Sequence, residues 1–158
     1  MKDFVAAAIQ MNIEVGAVDK NFSHAEVFIK CAAKAEANLI LLPELFNVGL
    51  PTRSLSSREW DSFQRPLAEP IPGRTTEWMM TQAKMRNIFL CGSILELLDG
   101  KVYNTAVMIN PQQKIVGYYR KMHTMRIQEA GDELSVWKTE LATFGCMTCY
   151  DHRFPEVA

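Results

Sequence analysis

Apolar and polar positions follow two different periods along the chain, and each period predicts its own kind of element. Over residues 19–36 the apolar side chains recur every three or four positions, which predicts an amphipathic helix. Residues 38–42 form a short apolar run without polar alternation, which is typical of a strand covered on both faces. A second helix is predicted over residues 75–85, with Thr75 or Thr76 as its N-cap.

Further strands are predicted after the second helix, and turn residues separate them. The dipeptide Asp99-Gly100 between two apolar runs is a strong signal for a β-hairpin. Pro155 is well placed for the first turn of a helix, so a helix is expected to begin near Phe154. The predicted strands cover residues 5–11, 38–42, 88–98, 102–109, 114–121, 134–138 and 142–149. This element order indicates a layered α/β fold with a mixed sheet.

Composition and charge exclude several classes of function. The 158 residues are 48% apolar and 22% charged, which suits one ordinary globular domain of about 150 residues. The 17 basic and 18 acidic residues leave a net charge of −1, so neither nucleic acid nor a membrane surface is an expected partner. No apolar run approaches the roughly 18 residues of a membrane span. With 4 cysteines and no export signal, a cytoplasmic chain with reduced thiols is expected.

Cys149 is the first candidate for chemistry, because it lies where a predicted strand gives way to a predicted helix. Helix amides at such a corner favour a thiolate, although a buried, inert cysteine would fit the same position. Cys146 and Cys149 also form a Cys-x-x-Cys pair. If the strand runs through Cys149, alternation points the two thiols to opposite faces, which argues against dithiol or metal chemistry.

Two further candidates lie at the ends of predicted strands. Glu44 follows a buried strand, at the edge where α/β sheets usually hold their sites, and partial burial would suit a carboxylate to act as a general base. Lys121 closes another strand, although such a lysine is commonly a solvated cap. His123 is a possible base for Cys149 in a cysteine–histidine hydrolase, but His24, His123 and His152 fit no pairing pattern and are interpreted as structural.

Three segments in this order resemble the nitrilase, or carbon–nitrogen hydrolase, superfamily. They are residues 41–46 (LLPELF), 118–123 (YYRKMH) and 149–156 (CYDHRFPE). Weaker agreement comes from residues 72–76 (PGRTT), Gly92-Ser93 and 103–106 (YNTA). Each motif alone is weak, but their order and distances are specific, and the agreement runs over almost the whole chain.

The resemblance implies a fold, a set of site residues and a class of reaction. It implies an αββα sandwich, assembled as a homodimer or larger homo-oligomer, that works without metal or organic cofactor. It implies a catalytic triad of Glu44, Lys121 and Cys149, with the backbone N–H of Tyr150 helping Lys121 to hold the oxyanion. Arg153 and Glu156 would then support the turn at the nucleophile. The expected function is hydrolysis of a non-peptide C–N bond in a small linear amide or ureido compound, through a cysteine thioester.

The chain departs from the family pattern in three places. A further glutamate is often present before the nucleophile strand, and in the short loop 124–131 only Glu129 offers a weak match. A small residue is often found where this chain has Glu36, and a left-handed helix end there would cost about 1 kcal/mol relative to glycine. Family domains are also longer, so residues 1–158 are interpreted as a partial domain whose C-terminal portion is missing. A competing hypothesis is therefore an inactive truncated fragment, or a subunit that needs a complementing chain.

Overall fold

The computed structural model describes residues 3–51, 55–124 and 128–157, which contain three α-helices, seven strands and three 3-10 turns. The helices are α1 (Val18–Lys34), α2 (Ser57–Gln64) and α3 (Arg74–Arg86). The strands are β1 (Ala6–Ala8), β2 (Leu39–Leu41), β3 (Phe89–Leu98), β4 (Lys101–Ile109), β5 (Ile115–Arg120), β6 (Val136–Lys138) and β7 (Thr143–Gly145). The 3-10 turns are Arg65–Leu67, Cys149–Arg153 and Pro155–Val157.

Five strands form a mixed sheet in the order β1-β2-β3-β4-β5. The first three are parallel to one another, and β3, β4 and β5 are antiparallel. Asp99 and Gly100 adopt φ values of 48° and 75° in the tight connection between β3 and β4. Since such hairpin turns need left-handed backbone at both positions, this dipeptide accounts for the turn. The predicted α/β class with a mixed sheet is confirmed.

Helices cover one face of this sheet. Ile40, Leu90 and Val107 come from three neighbouring strands, and they belong to one buried cluster with Ile29 of α1 and Met79 of α3. The predicted amphipathic helix is confirmed in this packing, because Phe22, Ala25 and Ile29 are buried, although Phe28 is exposed. Close packing in this cluster restrains the sheet, so the side chains on its other face project from a rigid backbone.

The other face of the sheet, which we call the second face, carries side chains of the candidate site. Met108 and Tyr119 of the main sheet pack there with Trp137 and Phe144 of the β6–β7 hairpin. Because successive side chains of a strand alternate between faces, Asn104 of β4 shares this face with Met108.

The N-cap of α3 differs from the predicted residue, whereas the C-terminal end of α1 has the expected left-handed backbone. α3 has Gly73 as its N-cap, whereas Thr75 or Thr76 was the predicted cap. Thr76 contributes from inside the helix, because its Oγ1 accepts a hydrogen bond from the Gly73 N–H at 2.8 Å. At the end of α1, Glu36 adopts the left-handed conformation that its position suggested, with φ 63°.

The predicted strand over residues 142–149 is wrong at its C-terminal end. β7 ends at Gly145, and Cys149 begins a 3-10 turn with φ 48°. The physical reason is an alternative set of hydrogen bonds: the buried Asp151 carboxylate accepts the Thr148 N–H at 3.0 Å, which withdraws that donor from a ladder. Near Phe154, where the first turn of a helix is expected, the described residues form the 3-10 turn Pro155–Val157.

Other boundaries shift by smaller amounts. The strand predicted over residues 5–11 is limited to β1, because only its three residues pair with β2. Residues 125–127 of the predicted loop 124–131 lie outside the described residues. Among the helices of the described ranges, none has the length and apolar character to cross a membrane.

Candidate active site

Glu44 is positioned by the chain segment that leaves β2. Leu42 continues the pairing with β3 by donating its N–H to the Cys91 carbonyl at 2.8 Å. Leu45 then adopts a left-handed conformation with φ 49°, and the Ser93 hydroxyl accepts its N–H at 2.8 Å. This turn directs the Glu44 side chain, which is 18% exposed, toward the second face of the sheet.

Lys121 is held at the end of β5 by backbone contacts on both sides. Its N–H donates to the Asn104 carbonyl at 2.9 Å, and its own carbonyl accepts the Gly131 N–H at 2.9 Å. A Cβ at Gly131 would lie 2.2 Å from the Arg120 carbonyl oxygen, so glycine is needed for this close approach. The side chain of Lys121 is 3% exposed, which contradicts the alternative of a solvated cap.

Two donors converge on one oxygen of Glu44. The Lys121 ammonium donates to Glu44 Oε1 at 2.6 Å, and the Asn104 Nδ2 donates to the same atom at 2.8 Å. Oε1 is therefore held by two protein donors. Asn104 is a site residue that was not singled out from the sequence, and the weak agreement over residues 103–106 was the signal available.

Cys149 faces Glu44 from the turn that follows β7. Burial of the thiol, the negative charge of Glu44 and a hydrogen bond with that carboxylate raise the pKa of Cys149 above its ordinary value. The Lys121 charge and the N–H of Tyr150 act in the opposite direction but do not prevail. The expected thiolate-favouring corner is thus wrong for the resting state, in which the thiol keeps its proton beside a carboxylate.

Asp151 organises the turn around Cys149 and was not identified from the sequence. The carboxylate is fully buried and accepts the Thr148 N–H at 3.0 Å, the His123 N–H at 2.9 Å and the Tyr119 hydroxyl at 2.8 Å. Burial alone would raise the pKa of Asp151, but these hydrogen bonds outweigh it and hold the pKa below its ordinary value. The spacing Thr148-x-x-Asp151 matches a capping pattern and was the signal available.

The remaining candidates lie around these groups. The Nδ1 of His123 lies 2.9 Å from Oδ1 of Asp151, and its ring stacks on Phe154, so this nitrogen is committed to Asp151. The Glu129 carboxylate lies 3.9 Å from the Lys101 ammonium, and both groups are largely exposed. Among the contacts of the described residues, Glu129 thus pairs with Lys101 and with none of the triad candidates.

The two residues expected to support the turn lie beyond the nucleophile. Arg153 is exposed, with its guanidinium 5.8 Å from the centre of the Tyr150 ring. Glu156 is exposed in the last 3-10 turn. The His24 side chain is exposed on α1, and the ring of His152 contacts the carbonyl of Cys149.

A cavity of about 160 Å³ opens beside Glu44 and Cys149. Its wall combines the ends of β2 and β3 with the segment that leads to the nucleophile. The lining residues are Leu41, Leu42, Glu44, Cys91, Gly92, Ser93, Ala106, Cys146, Met147, Thr148 and Cys149. Over the residues that the structure describes, no group of three or more His, Cys, Asp or Glu side chains is arranged to hold a metal ion.

A family model described as carbon–nitrogen hydrolase matches residues 5–158. The chain belongs to the carbon–nitrogen hydrolase family. The match covers all three segments that carried the resemblance, so the predicted membership is confirmed.

Individual members of the carbon–nitrogen hydrolase family are similar over nearly the whole chain. A protein named nitrilase from Pyrococcus abyssi is 35% identical over 96% of this chain and 58% of its own length. A protein named omega-amidase from Homo sapiens is 34% identical over the full chain and 59% of its own length. The chain therefore spans little more than half the length of these two relatives.

Solved structures of the family confirm the fold. A crystal structure of a CN-hydrolase superfamily protein from Xanthomonas campestris, with an arsenic adduct in its active site, superposes with a TM-score of 0.83 at 25% identity. The superposition covers 99% of this chain and 57% of the other. The sheet and its helices thus match the corresponding part of a nitrilase-superfamily fold.

Proposed function

We propose that this chain carries the catalytic groups of a thiol-dependent amidohydrolase that cleaves the C–N bond of a small linear amide or ureido compound. The observation that supports it most is the buried ion pair of Lys121 and Glu44, made at 2.6 Å beside the Cys149 thiol. Glu44 serves as the general base, Cys149 as the nucleophile and Lys121 as an electrostatic stabiliser.

The first half of the reaction forms a thioester. Glu44 takes the proton from the Cys149 thiol as the sulfur attacks the carbonyl carbon of the amide, and a C–S bond forms. The tetrahedral intermediate then loses its C–N bond, and Glu44 returns the proton to the leaving nitrogen, which departs as ammonia or an amine. The raised pKa of Cys149 fits this order, because a thiol that is neutral at rest needs a base at the moment of attack.

The second half hydrolyses the thioester. Glu44 removes a proton from a water molecule, whose oxygen attacks the acyl carbon and releases a carboxylic acid. The C–S bond breaks, and the Cys149 thiol is restored. Splitting one difficult substitution into two easier ones is the advantage of covalent catalysis.

Lys121 and the N–H of Tyr150 stabilise the negative oxygen of each tetrahedral intermediate. The Tyr150 N–H is directed at the Cys149 sulfur in the resting state, where it acts to lower the pKa of the thiol. A donor so close to the sulfur lies within reach of an oxyanion on the attacked carbon. One donor of this kind is worth about 3 kcal/mol of transition-state stabilisation.

The size and walls of the cavity support a small substrate. Its volume of about 160 Å³ is below the roughly 300 Å³ that is usual for a drug-sized ligand. Leu41, Leu42, Ala106 and Met147 make part of its wall apolar, which suits a short linear chain beside the reacting group. We also propose that the protein acts in the cytoplasm as a homodimer or larger homo-oligomer. Residues 1–158 are proposed to form one partial hydrolase domain.

Acid-quenched mass spectrometry tests the proposal directly. The protein is mixed with propionamide, a short ureido compound or a short nitrile, and ammonia release and the mass of the Cys149 peptide are followed together. We expect ammonia release with a transient acyl adduct on Cys149, and neither in Cys149→Ala. Turnover retained in Cys149→Ala would refute the mechanism, and Cys31→Ser serves as the matched control for loss of an exposed thiol.

A second candidate function is a subunit that becomes active only with a complementing chain. It is favoured by apolar side chains that remain exposed around the cavity, with 40% for Leu41, 43% for Met147 and 41% for Tyr150. Size-exclusion chromatography with circular dichroism separates the two candidates. A monodisperse species that melts cooperatively and is alkylated by iodoacetamide at Cys149 would count against this second function.

A further inference from the structure

Three of the four cysteines line the same cavity. Cys91 comes from β3, Cys146 directly follows β7, and Cys149 begins the 3-10 turn after it. The fourth cysteine, Cys31, is exposed on α1, which covers the other face of the sheet. The proposed reaction uses Cys149 alone, so the two remaining cavity thiols have no assigned role.

Tertiary packing brings Cys91 and Cys146 together from distant parts of the sequence. Both pack against the buried cluster that contains Met108, Tyr119 and Trp137. Cys91 shares the second face of the sheet with Met108, its direct partner on β4. The β6–β7 hairpin lies over that cluster, and its end carries Cys146 to the same place.

The two thiols interact with a defined polarity. A hydrogen bond between the two thiols, together with burial, raises the pKa of Cys91. The same hydrogen bond lowers the pKa of Cys146 below its ordinary value, against the effects of burial and of the Asp151 charge. Cys146 is therefore the thiolate-prone member and Cys91 the proton-bearing one.

Cys149 has a different partner, because its thiol is directed at Glu44. The sequence motif Cys-x-x-Cys joins Cys146 to Cys149, yet the fold pairs Cys146 with Cys91 across the cavity. The strand alternation that argued against a Cys146–Cys149 dithiol rested on a strand that ends earlier than predicted. Cys146 has Cys91 as its hydrogen-bond partner, whereas Cys149 has the Glu44 carboxylate.

We infer that Cys91 and Cys146 are a second thiol site, distinct from the Cys149 nucleophile, which a peroxide converts into an intramolecular disulfide. Hydrogen peroxide is small enough to enter a cavity of about 160 Å³, and both thiols line its wall. The inference holds whether or not Cys149 performs the proposed amide hydrolysis, since it depends only on the placement of the other two thiols.

The chemistry needs no reactant besides the peroxide. The Cys146 thiolate attacks one peroxide oxygen, an S–O bond forms, the O–O bond breaks, and the departing hydroxide leaves as water after taking a proton. Cys91 then loses its proton, and its sulfur attacks the Cys146 sulfenic acid. An S–S bond forms, the S–O bond breaks, and a second water leaves. Overall, two thiols are oxidised to one disulfide, and one hydrogen peroxide is reduced to two waters.

Peptide mapping under non-reducing conditions tests the inference. Trypsin places Cys91 in the peptide of residues 87–101, and places both Cys146 and Cys149 in the peptide of residues 139–153. The protein is treated with hydrogen peroxide, denatured, blocked with iodoacetamide and digested. A Cys149→Ser variant makes the assignment unambiguous, because Cys146 is then the only thiol of its peptide.

We expect a disulfide between these two peptides in the unmodified chain and in Cys149→Ser, with a loss of two titratable thiols that dithiothreitol restores. Cys31→Ser should form the same link, whereas Cys91→Ser and Cys146→Ser should each abolish it. Circular dichroism of both variants before oxidation shows that they are folded. A disulfide inside the peptide of residues 139–153, or sulfinic acids without any link in Cys149→Ser, would overturn the inference.

Discussion

Lys121 and Glu44 form a buried ion pair, in which the ammonium nitrogen lies 2.6 Å from Oε1 and the two side chains are 3% and 18% exposed. Removing two charges from water is costly, and an apolar pair of similar volume would often be as stable. Asn104 offsets part of this cost through its hydrogen bond to the same oxygen. Because burying this pair is costly and it lies beside a thiol, a role in catalysis explains it better than a contribution to stability.

Replacing one partner of this pair is expected to destabilise the fold. In Lys121→Met the Glu44 carboxylate loses its counter-charge while it remains half-buried, so we expect a loss of about 3 kcal/mol in the free energy of unfolding. Urea denaturation followed by circular dichroism measures this loss.

A double-mutant cycle separates the pair from its surroundings. Glu44→Gln combined with Lys121→Met leaves no unpaired charge, so the double variant should lose less stability than the sum of the two single variants. Strict additivity of the two single effects would show that the groups do not stabilise each other in solution.

The protonation of Cys149 should respond to its two charged neighbours in opposite directions. Glu44→Gln removes a negative charge that raises the pKa of the thiol, so its pKa should fall and alkylation should begin at lower pH. Lys121→Met removes a positive charge that lowers this pKa, so its pKa should rise. The rate of iodoacetamide labelling at Cys149 as a function of pH, read by peptide mass spectrometry, gives both shifts.

Glu129→Gln is the matched control for the change of charge, because that carboxylate pairs with Lys101 on the surface. Its labelling profile should coincide with that of the unmodified chain. If Glu44→Gln and Glu129→Gln gave the same profile, Glu44 would not be close to the thiol in solution.

Glu44, Lys121 and Cys149 were candidates because each lies at the end of a predicted strand, and only the resemblance to the carbon–nitrogen hydrolases combined them into a proposed triad. Glu44 lies three residues after the end of β2 and Lys121 directly after β5, and such positions fall at sheet ends whatever the register of the sheet. Asn104 could not be found in this way, since its contact with Glu44 depends on how β4 pairs with its neighbours. Residues 104 and 44 are far apart in sequence, and only the register brings the amide to the carboxylate.

A turn beginning at Cys149 was predicted, but the conformation of the residues before it was not. Strand alternation was extended to Cys149 because residues 142–149 are mostly apolar, whereas the structure ends β7 at Gly145. The competing interaction is the buried carboxylate of Asp151, two residues after the end of the predicted strand. Local patterns do not show whether such an acid is solvated or satisfied by backbone donors, as Asp151 is.

Glycine at position 36 should stabilise the protein. Glu36 follows α1 in a left-handed conformation with φ 63°, and the Ala37 N–H donates to the Ala32 carbonyl at 3.1 Å in the manner of a Schellman cap. A side chain in this conformation costs about 1 kcal/mol relative to glycine, so Glu36→Gly should raise the free energy of unfolding by about that amount. Thermal or urea unfolding measures the change.

Glu36→Ala is the control for removal of the charged side chain. Alanine keeps the Cβ that makes the left-handed conformation costly, so this variant should gain little or nothing. An equal gain in Glu36→Ala and Glu36→Gly would assign the effect to the glutamate charge instead of the backbone.

Asp151 should contribute stability that depends on pH. Because its pKa in the folded state is held below its ordinary value, the charged carboxylate favours folding above the unfolded pKa of about 3.9. That contribution is lost as the pH falls through the lower folded pKa. In Asp151→Asn the amide nitrogen would face the Thr148 N–H, donor against donor, and a buried N–H left unpaired costs about 2 kcal/mol near neutral pH.

The difference in unfolding free energy between the unmodified chain and Asp151→Asn should therefore be largest near pH 7 and should shrink as the medium becomes acidic. Urea titrations at several pH values measure it. Asp61→Asn is the matched control, since that carboxylate pairs with Arg65 at the surface and its loss should change stability by less than about 1 kcal/mol. A difference for Asp151→Asn that stayed constant from neutral to acidic pH would mean that the Asp151 carboxylate is not the charged acceptor that fixes the turn at Cys149.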